Sequence, residues 1–174
     1  MEKNTPGTVK RSPVTGLRVG IGYDIHAMME GRPLILGGIH IPFGKGLLGH
    51  SDGDALLHAV ADAMLGAAAL GDIGCHFPDT DPRFRDADSA KLLGLVASLL
   101  KEKGWRVVNV DSNIIAERPK MSQHFEEMRA RIAAILGIDI GCVSVKARTS
   151  EGIGAIGRNN AISTHAVALI EAVA

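Results

Sequence analysis

The sequence predicts an α+β fold in a single domain. Strand-like and helix-like periodicities follow one another in mixed order, which is the pattern of a sheet packed with helices. The chain has 174 residues, 46% of them apolar. That is enough to bury one core without disulfides.

The elements can be justified in order. Residues Met1 to Gly16 are polar, mildly basic and broken by Pro6, Gly7, Pro13 and Gly16, so 1–16 is expected to be a disordered extension before a domain at 17–174. Leu17 to Ile25 reads as a strand, and Leu34-Ile-Leu-Gly-Gly-Ile-His-Ile41 as a hairpin turning at Gly37-Gly38. Asp52 to Leu70, rich in Ala and Leu, follows the capping candidate Ser51 and ends at Gly71, so it reads as a helix. A second helix is expected from about Ser89 to Lys103, a strand from Trp105 to Ala116, a helix from Gln123 to Leu136 and a strand from Cys142 to Arg148. The last segment, Ala161 to Val173, fits either type. Gly71–Pro82 and Thr149–Arg158 resist regular structure and read as binding loops.

Composition removes several function classes. Lys plus Arg and Asp plus Glu are 19 each, so no basic field draws in nucleic acid. No run approaches the roughly 20 apolar residues that span a bilayer, and the start lacks a signal-peptide core. Cys75 and Cys142 have no Cys-x-x-Cys partner and fit structural thiols in a reducing compartment. A soluble, cytoplasmic protein is expected.

Asp24 and His26 sit two apart in a predicted strand and so share a face. His58 follows on the predicted helix, where Asp54, His58 and Asp62 make one polar stripe. A carboxylate and two imidazoles suit Zn²⁺ or a similar divalent ion, and three ligands leave a fourth position open for chemistry. The plainer alternative is two strand-end surface residues and a hydrogen-bonded core histidine. Asp54 or Asp62 is expected either to orient a ligand histidine or to form an ordinary polar helix face. In the second loop, hydroxyls, Glu151 and three glycines would let backbone amides approach a phosphate.

Six ordered motifs then carry a resemblance: Gly22-Tyr-Asp-Ile-His26, Gly49-His-Ser-Asp-Gly-Asp54 leading to His58, Leu70-Gly-Asp-Ile-Gly74, Phe77-Pro-Asp-Thr-Asp-Pro82, Ala116-Glu-Arg-Pro-Lys-Met121 and the loop from Lys146 to Arg158. From about Arg18 onward the chain resembles the 2-C-methyl-D-erythritol 2,4-cyclodiphosphate synthases of non-mevalonate isoprenoid synthesis. The resemblance implies a mixed β-sheet covered by helices, assembled as a homotrimer with active sites between subunits. It implies conversion of 4-diphosphocytidyl-2-C-methyl-D-erythritol 2-phosphate to the cyclic diphosphate and CMP, a phosphorus–oxygen lyase reaction. By the same resemblance Asp24, His26 and His58 hold Zn²⁺ or another divalent cation, and Glu151 holds Mg²⁺ or Mn²⁺ against the substrate diphosphate. His50 and Thr149 match transition-state stabilisers. Substrate contacts are implied for Asp24, His26, His50, Ser51, Asp72, Ile73, Gly74, Phe77, Pro78, Asp79, Thr80 and Asp81. They are also implied for Ala116, Pro119, Lys120, Met121, Ser122, Arg148, Thr149, Ser150, Glu151, Ala155 and Arg158. The chain departs from the common pattern at Arg148, Ala155 and His165, where members often carry Thr, Phe and an acidic residue. Two other readings use the same ligands: a phosphohydrolase attacking with zinc-bound water, and a non-catalytic trimer with structural zinc.

Overall fold

In the computed structural model the described residues are 16–173. The extension expected over 1–16 therefore lies outside them, apart from Gly16, whose carbonyl accepts from Ala172 N at 2.7 Å. Seven strands and five α-helices follow in chain order: β1 (Leu17–Glu30), β2 (Leu34–Leu36), β3 (Ile39–Ile41), β4 (Lys45–Leu47), α1 (Ala55–Ala68), α2 (Ile73–His76), α3 (Ser89–Glu102), β5 (Trp105–Ile115), α4 (Phe125–Leu136), β6 (Val143–Arg148), α5 (Gly154–Gly157) and β7 (Ala161–Ala172). The main sheet has the order β4-β1-β7-β5-β6, with β2 and β3 forming a separate hairpin. Only β5 and β6 pair in parallel; the other neighbours are antiparallel, so the sheet is mixed.

Helices α1, α3 and α4 cover one face and enclose the core. The approach of α1 to β1 is close enough to require glycine. A Cβ on Gly20 would stand 2.0 Å from the Ala63 carbonyl oxygen, and one on Gly22 would stand 1.9 Å from that of Ala59. Alanine every four residues on α1 gives the matching flat stripe. The odd-numbered residues of β1 point the other way and leave an apolar row in the open, with Val19 67% and Ile21 72% exposed beside Leu17, Tyr23 and Ile25.

Several expectations change. The first strand runs on to Glu30, β4 was not expected, and the last segment is a strand. The helix expected from Asp52 starts at Ala55 because Asp54 is its cap, accepting from Leu57 N at 3.0 Å. It ends on Ala69 in the left-handed conformation rather than at Gly71. The two loops contain the single-turn helices α2 and α5. In the first, Asp72 accepts from Cys75 N at 2.9 Å and Asp62 accepts from Ile73 N at 2.7 Å, so carboxylates supply the first-turn partners that the sequence pattern does not reveal.

Because the α1–β1 contact has no room for a methyl group, Gly22→Ala is expected to destabilise the fold by about 1–3 kcal/mol or more. Gly44→Ala, at a position with open space around it, is expected to stay within about 0.5 kcal/mol. Urea midpoints of the two variants check this.

Candidate metal centre and adjoining cavities

Antiparallel pairing of β1 with β7 carries Asp24 and His26 toward the end of the sheet on the α1 side, and α1 presents His58 to them. Asp24 Oδ2 lies 2.9 Å from His26 Nε2 and 2.9 Å from His58 Nδ1, and the two ring nitrogens are 3.4 Å apart. Among the described residues this is the group of acidic, His or Cys side chains whose ligand atoms converge, all within 4.8 Å of one another. A tetrahedral zinc ion with bonds near 2.0–2.1 Å spaces its ligand atoms by about 3.3 Å. The residues present therefore fit a divalent cation with a shift of a few tenths of an ångström. His26 is already set in the ligating tautomer: its Nδ1–H donates to the Leu48 carbonyl at 2.6 Å, leaving Nε2 for the centre.

Charge at the centre is tightly shared. Burial pushes the Asp24 carboxyl up, but hydrogen bonds and charge from His26 and His58 outweigh it and hold the group well below the usual carboxylate range. The hydrogen bond to Asp24 raises His26 above the ordinary histidine value, against the opposing effect of burial.

Neither acid of the α1 stripe orients a ligand histidine directly. Asp54 is fully buried and accepts from Gly37 N at 2.9 Å, Gly38 N at 2.6 Å and Leu57 N, pinning the β2–β3 turn to the start of α1. Asp62 is occupied with Ile73 N. Both carboxylates are taken up by backbone N–H groups instead. The contacts on His58 Nε2 come instead from Ser89 Oγ at 2.9 Å and Ser51 Oγ at 3.1 Å.

The Asp24–His26–His58 group borders a cavity of about 260 Å³ lined by His26, His50, Ser51, His58, Ile73, Phe77, Asp79, Phe84 and Leu92. Phe77 and Phe84 meet edge to face at 5.3 Å and form its apolar wall. A second cavity of about 210 Å³ sits where β5 and β6 end, lined by Ala116, Glu117, Pro119, Lys120, Met121, Ser122, Phe125, Ala147, Arg148 and Thr149. The two share no lining residue, so His50 and Thr149 face different cavities within one chain. Asp72, Gly74, Pro78, Thr80 and Asp81 lie on the first cavity's loop without lining it, and Asp81 is paired with Arg83. Ser150, Glu151, Ala155 and Arg158 line neither cavity. Ser150 Oγ donates to the Ile153 carbonyl, and Glu151 accepts from the Thr149 hydroxyl at 2.7 Å.

Sequence reasoning passed over Phe84, Leu92, Ser89 and Asp52. A buried carboxylate oxygen of Glu117 has no hydrogen-bond partner beside the second cavity. The signal available for Ser89 was its place after Asp88 at a helix start, which reads as capping alone. Cys75 and Cys142 are both free thiols, and no helix among the described residues is long and apolar enough to cross a membrane.

Protons and a metal ion compete for this centre. A cation at Asp24, His26 and His58 has to displace the proton that the Asp24 carboxylate holds on His26. Apparent zinc affinity is therefore expected to rise from mildly acidic to neutral pH, by up to about tenfold per unit for each proton displaced, and to level off above the raised His26 value. Chelator competition at several pH values measures the slope; a flat profile contradicts the shared-proton account. His26→Ala is expected to lower zinc content and remove most of that slope.

Comparison with known proteins agrees with this geometry. The model of the YgbB family matches residues 17–171. A protein of Chromobacterium violaceum named 2-C-methyl-D-erythritol 2,4-cyclodiphosphate synthase is 60% identical over 153 residues, covering 88% of this chain and 97% of its own. The bifunctional IspDF of Campylobacter jejuni superposes with a TM-score of 0.88 at 39% identity, over 92% of this chain and 43% of that longer one. IspF of Plasmodium falciparum, in complex with CDP, superposes with a TM-score of 0.81 at 36% identity, over 93% of this chain and all of the other. A family match over nearly all the described residues, joined to relatives well above 30% identity, means that this chain belongs to the YgbB family.

Proposed function

We propose that this protein converts 4-diphosphocytidyl-2-C-methyl-D-erythritol 2-phosphate into 2-C-methyl-D-erythritol 2,4-cyclodiphosphate and CMP, as a phosphorus–oxygen lyase of isoprenoid synthesis in the cytoplasm. The observation that carries it is the convergence of Asp24, His26 and His58 beside a cavity that also contains His50. The name of the 60% identical relative and the CDP complex of a structural neighbour support the substrate class.

In this reading the domain spans 17–174. Asp24, His26 and His58 hold Zn²⁺, and Glu151 holds Mg²⁺ or Mn²⁺ together with the substrate, since Mg²⁺ is commonly bound by one or two carboxylates plus phosphate oxygens. When bound, these ions polarise the phosphoryl oxygens and offset the repulsion between the 2-phosphate and the diphosphate. The nucleophile is the substrate's own phosphate monoester. With a second pKa of about 6 it is mostly dianionic at neutral pH, so no strong protein base is needed.

The chain's task is then to position and to donate. Asp72, Ile73, Gly74 and the Phe77–Asp81 loop receive the methylerythritol part against the Phe77–Phe84 wall. Ala116, Pro119, Lys120, Met121 and Ser122, with the backbone at Arg148 and Thr149, hold the cytidine end. Holding the two phosphates within reach can supply much of the acceleration, since oriented intramolecular reactions reach effective molarities on the order of 10⁵ M. His50 donates to an equatorial oxygen of the attacked phosphorus and the Thr149 hydroxyl supports the departing end. Ser51, Ser150, Ala155 and Arg158 border the substrate in the same arrangement.

A homotrimer brings His50 and Thr149 to one substrate, with the second cavity of one subunit completing the first cavity of its neighbour. Two features support it: the separation of the two cavities within the chain, and the open apolar row of β1, which a monomer would leave in water.

The test is ³¹P NMR of the protein with this substrate and Mg²⁺, before and after zinc is stripped. Equimolar CMP and cyclic diphosphate, lost on stripping and restored by Zn²⁺, are expected; linear products instead contradict a synthase. His50→Ala is expected to lower kcat by about 10²–10³-fold, the cost of one transition-state donor, with zinc content unchanged.

A further inference from the structure

We propose that Ser89 and Asp52 are positioning residues for the ligand His58, acting as a directional relay in which the ring Nε2–H donates to Ser89 Oγ and the Ser89 hydroxyl donates to Asp52. The proposal rests on reading Asp24, His26 and His58 as the zinc site.

An imidazole ligates only through a nitrogen that carries no proton, so each ligand histidine needs its other nitrogen committed as a donor. For His26 the Leu48 carbonyl does this, because a carbonyl can only accept. His58 has no such neighbour. Its Nε2 faces two hydroxyls, Ser89 Oγ at 2.9 Å and Ser51 Oγ at 3.1 Å, and a hydroxyl either donates or accepts. Left alone, they could place the proton on either ring nitrogen.

Asp52 removes that freedom. Its carboxylate accepts from Ser89 Oγ at 2.5 Å and from Ser89 N at 3.1 Å. An ionised carboxylate accepts only, and so short a contact is a charge-assisted bond. The single hydroxyl proton of Ser89 is thereby committed to Asp52, and the oxygen turns its lone pairs toward His58 Nε2. Ser89 is 1% exposed, so water does not compete for it. Ser51 Oγ accepts from Gly53 N–H at 3.1 Å, and Ser89 Oγ, 3.4 Å away and with its own proton on Asp52, offers an acceptor for the Ser51 hydroxyl proton. The relay therefore keeps a proton on Nε2, so that a cation arriving at the centre meets the Nδ1 side of the ring, which without a cation hydrogen-bonds Asp24 Oδ2 at 2.9 Å. The carboxylate at the end of the relay also makes the ring a better donor to a cation.

Asp52→Asn keeps the shape and an oxygen for the Ser89 N–H, but its amide can donate to Ser89 Oγ and reverse the relay. Ser89→Ala removes it. Both are expected to weaken zinc binding by about 10–100-fold in chelator competition. In the zinc-loaded wild type the His58 Nε2–H should give a downfield, slowly exchanging proton resonance, which should move upfield or exchange away in both variants. Asp88→Ala serves as the structural control. Asp88 caps α3 through Ala90 N at 2.9 Å, so this variant should lower thermal stability and leave zinc affinity and the His58 resonance unchanged. If Ser89→Ala does not fold, Asp52→Asn decides. Wild-type zinc affinity and an unmoved resonance in the relay variants overturn the relay alone, as does equal zinc loss in Asp88→Ala. A wild-type protein that takes up no zinc overturns the metal-site reading and the relay together.

Discussion

The backbone contact between α1 and β1 is the constraint on which the rest of the site depends. Gly20 and Gly22 let the helix lie directly on the strand, and Ala59 and Ala63 meet them without side chains in the way. The two elements then have little freedom to slide, since close-packed backbone tolerates no added volume. Asp24 and His26 continue the glycine face of β1, and His58 precedes Ala59 on the helix. The same contact that closes the core therefore brings three side chains able to ligate a metal from two rigid elements to one point.

The acids of α1 extend this scaffold outward. Asp54 fastens the β2–β3 turn and Asp62 fastens α2, the start of the loop that walls the cavity. The fully buried Asp54 is costly to move, because each donor it frees loses its partner away from water. The candidate ligands thus stand on regular elements, while most residues proposed to meet the substrate stand on loops tethered to them. Such a division suits a reaction in which the substrate carries its own nucleophile and positioning is the main demand on the protein.

The sheet has two unlike faces. Three helices close one, and the other presents Leu17, Val19, Ile21, Tyr23 and Ile25 to the surroundings. Toward β5 and β6 this outer face turns polar, with Lys146 donating to Asp111 at 2.5–2.6 Å. The apolar row of β1 and this ion pair between β6 and β5 are separated by β7, so the outer face changes from apolar to polar across the sheet.

Much of this was legible in the sequence. The alternation around Asp24 and His26, the Ala-rich helix holding His58, the Gly37-Gly38 turn and Gly137 ending α4 are local signals, and each depends on residues a few positions apart. The roles of Asp54 and Asp62 were misread for the same reason: helical spacing put them on the stripe with His58, but the backbone N–H groups that claim them come from the turn at Gly37-Gly38 and from Ile73. Ser89 gave no sequence signal for its contacts with Asp52 and His58, which lie 37 and 31 residues away. The conformation of the last segment was open in sequence and was settled by pairing with β1 on one side and β5 on the other. Sequence alone determined which residues could ligate and which stretches could form helix or strand, because side-chain chemistry and periodicity are local properties. Tertiary structure alone decided which hydrogen-bond partner each buried polar group took, because that choice goes to whichever donor or acceptor the packing of distant segments leaves without water.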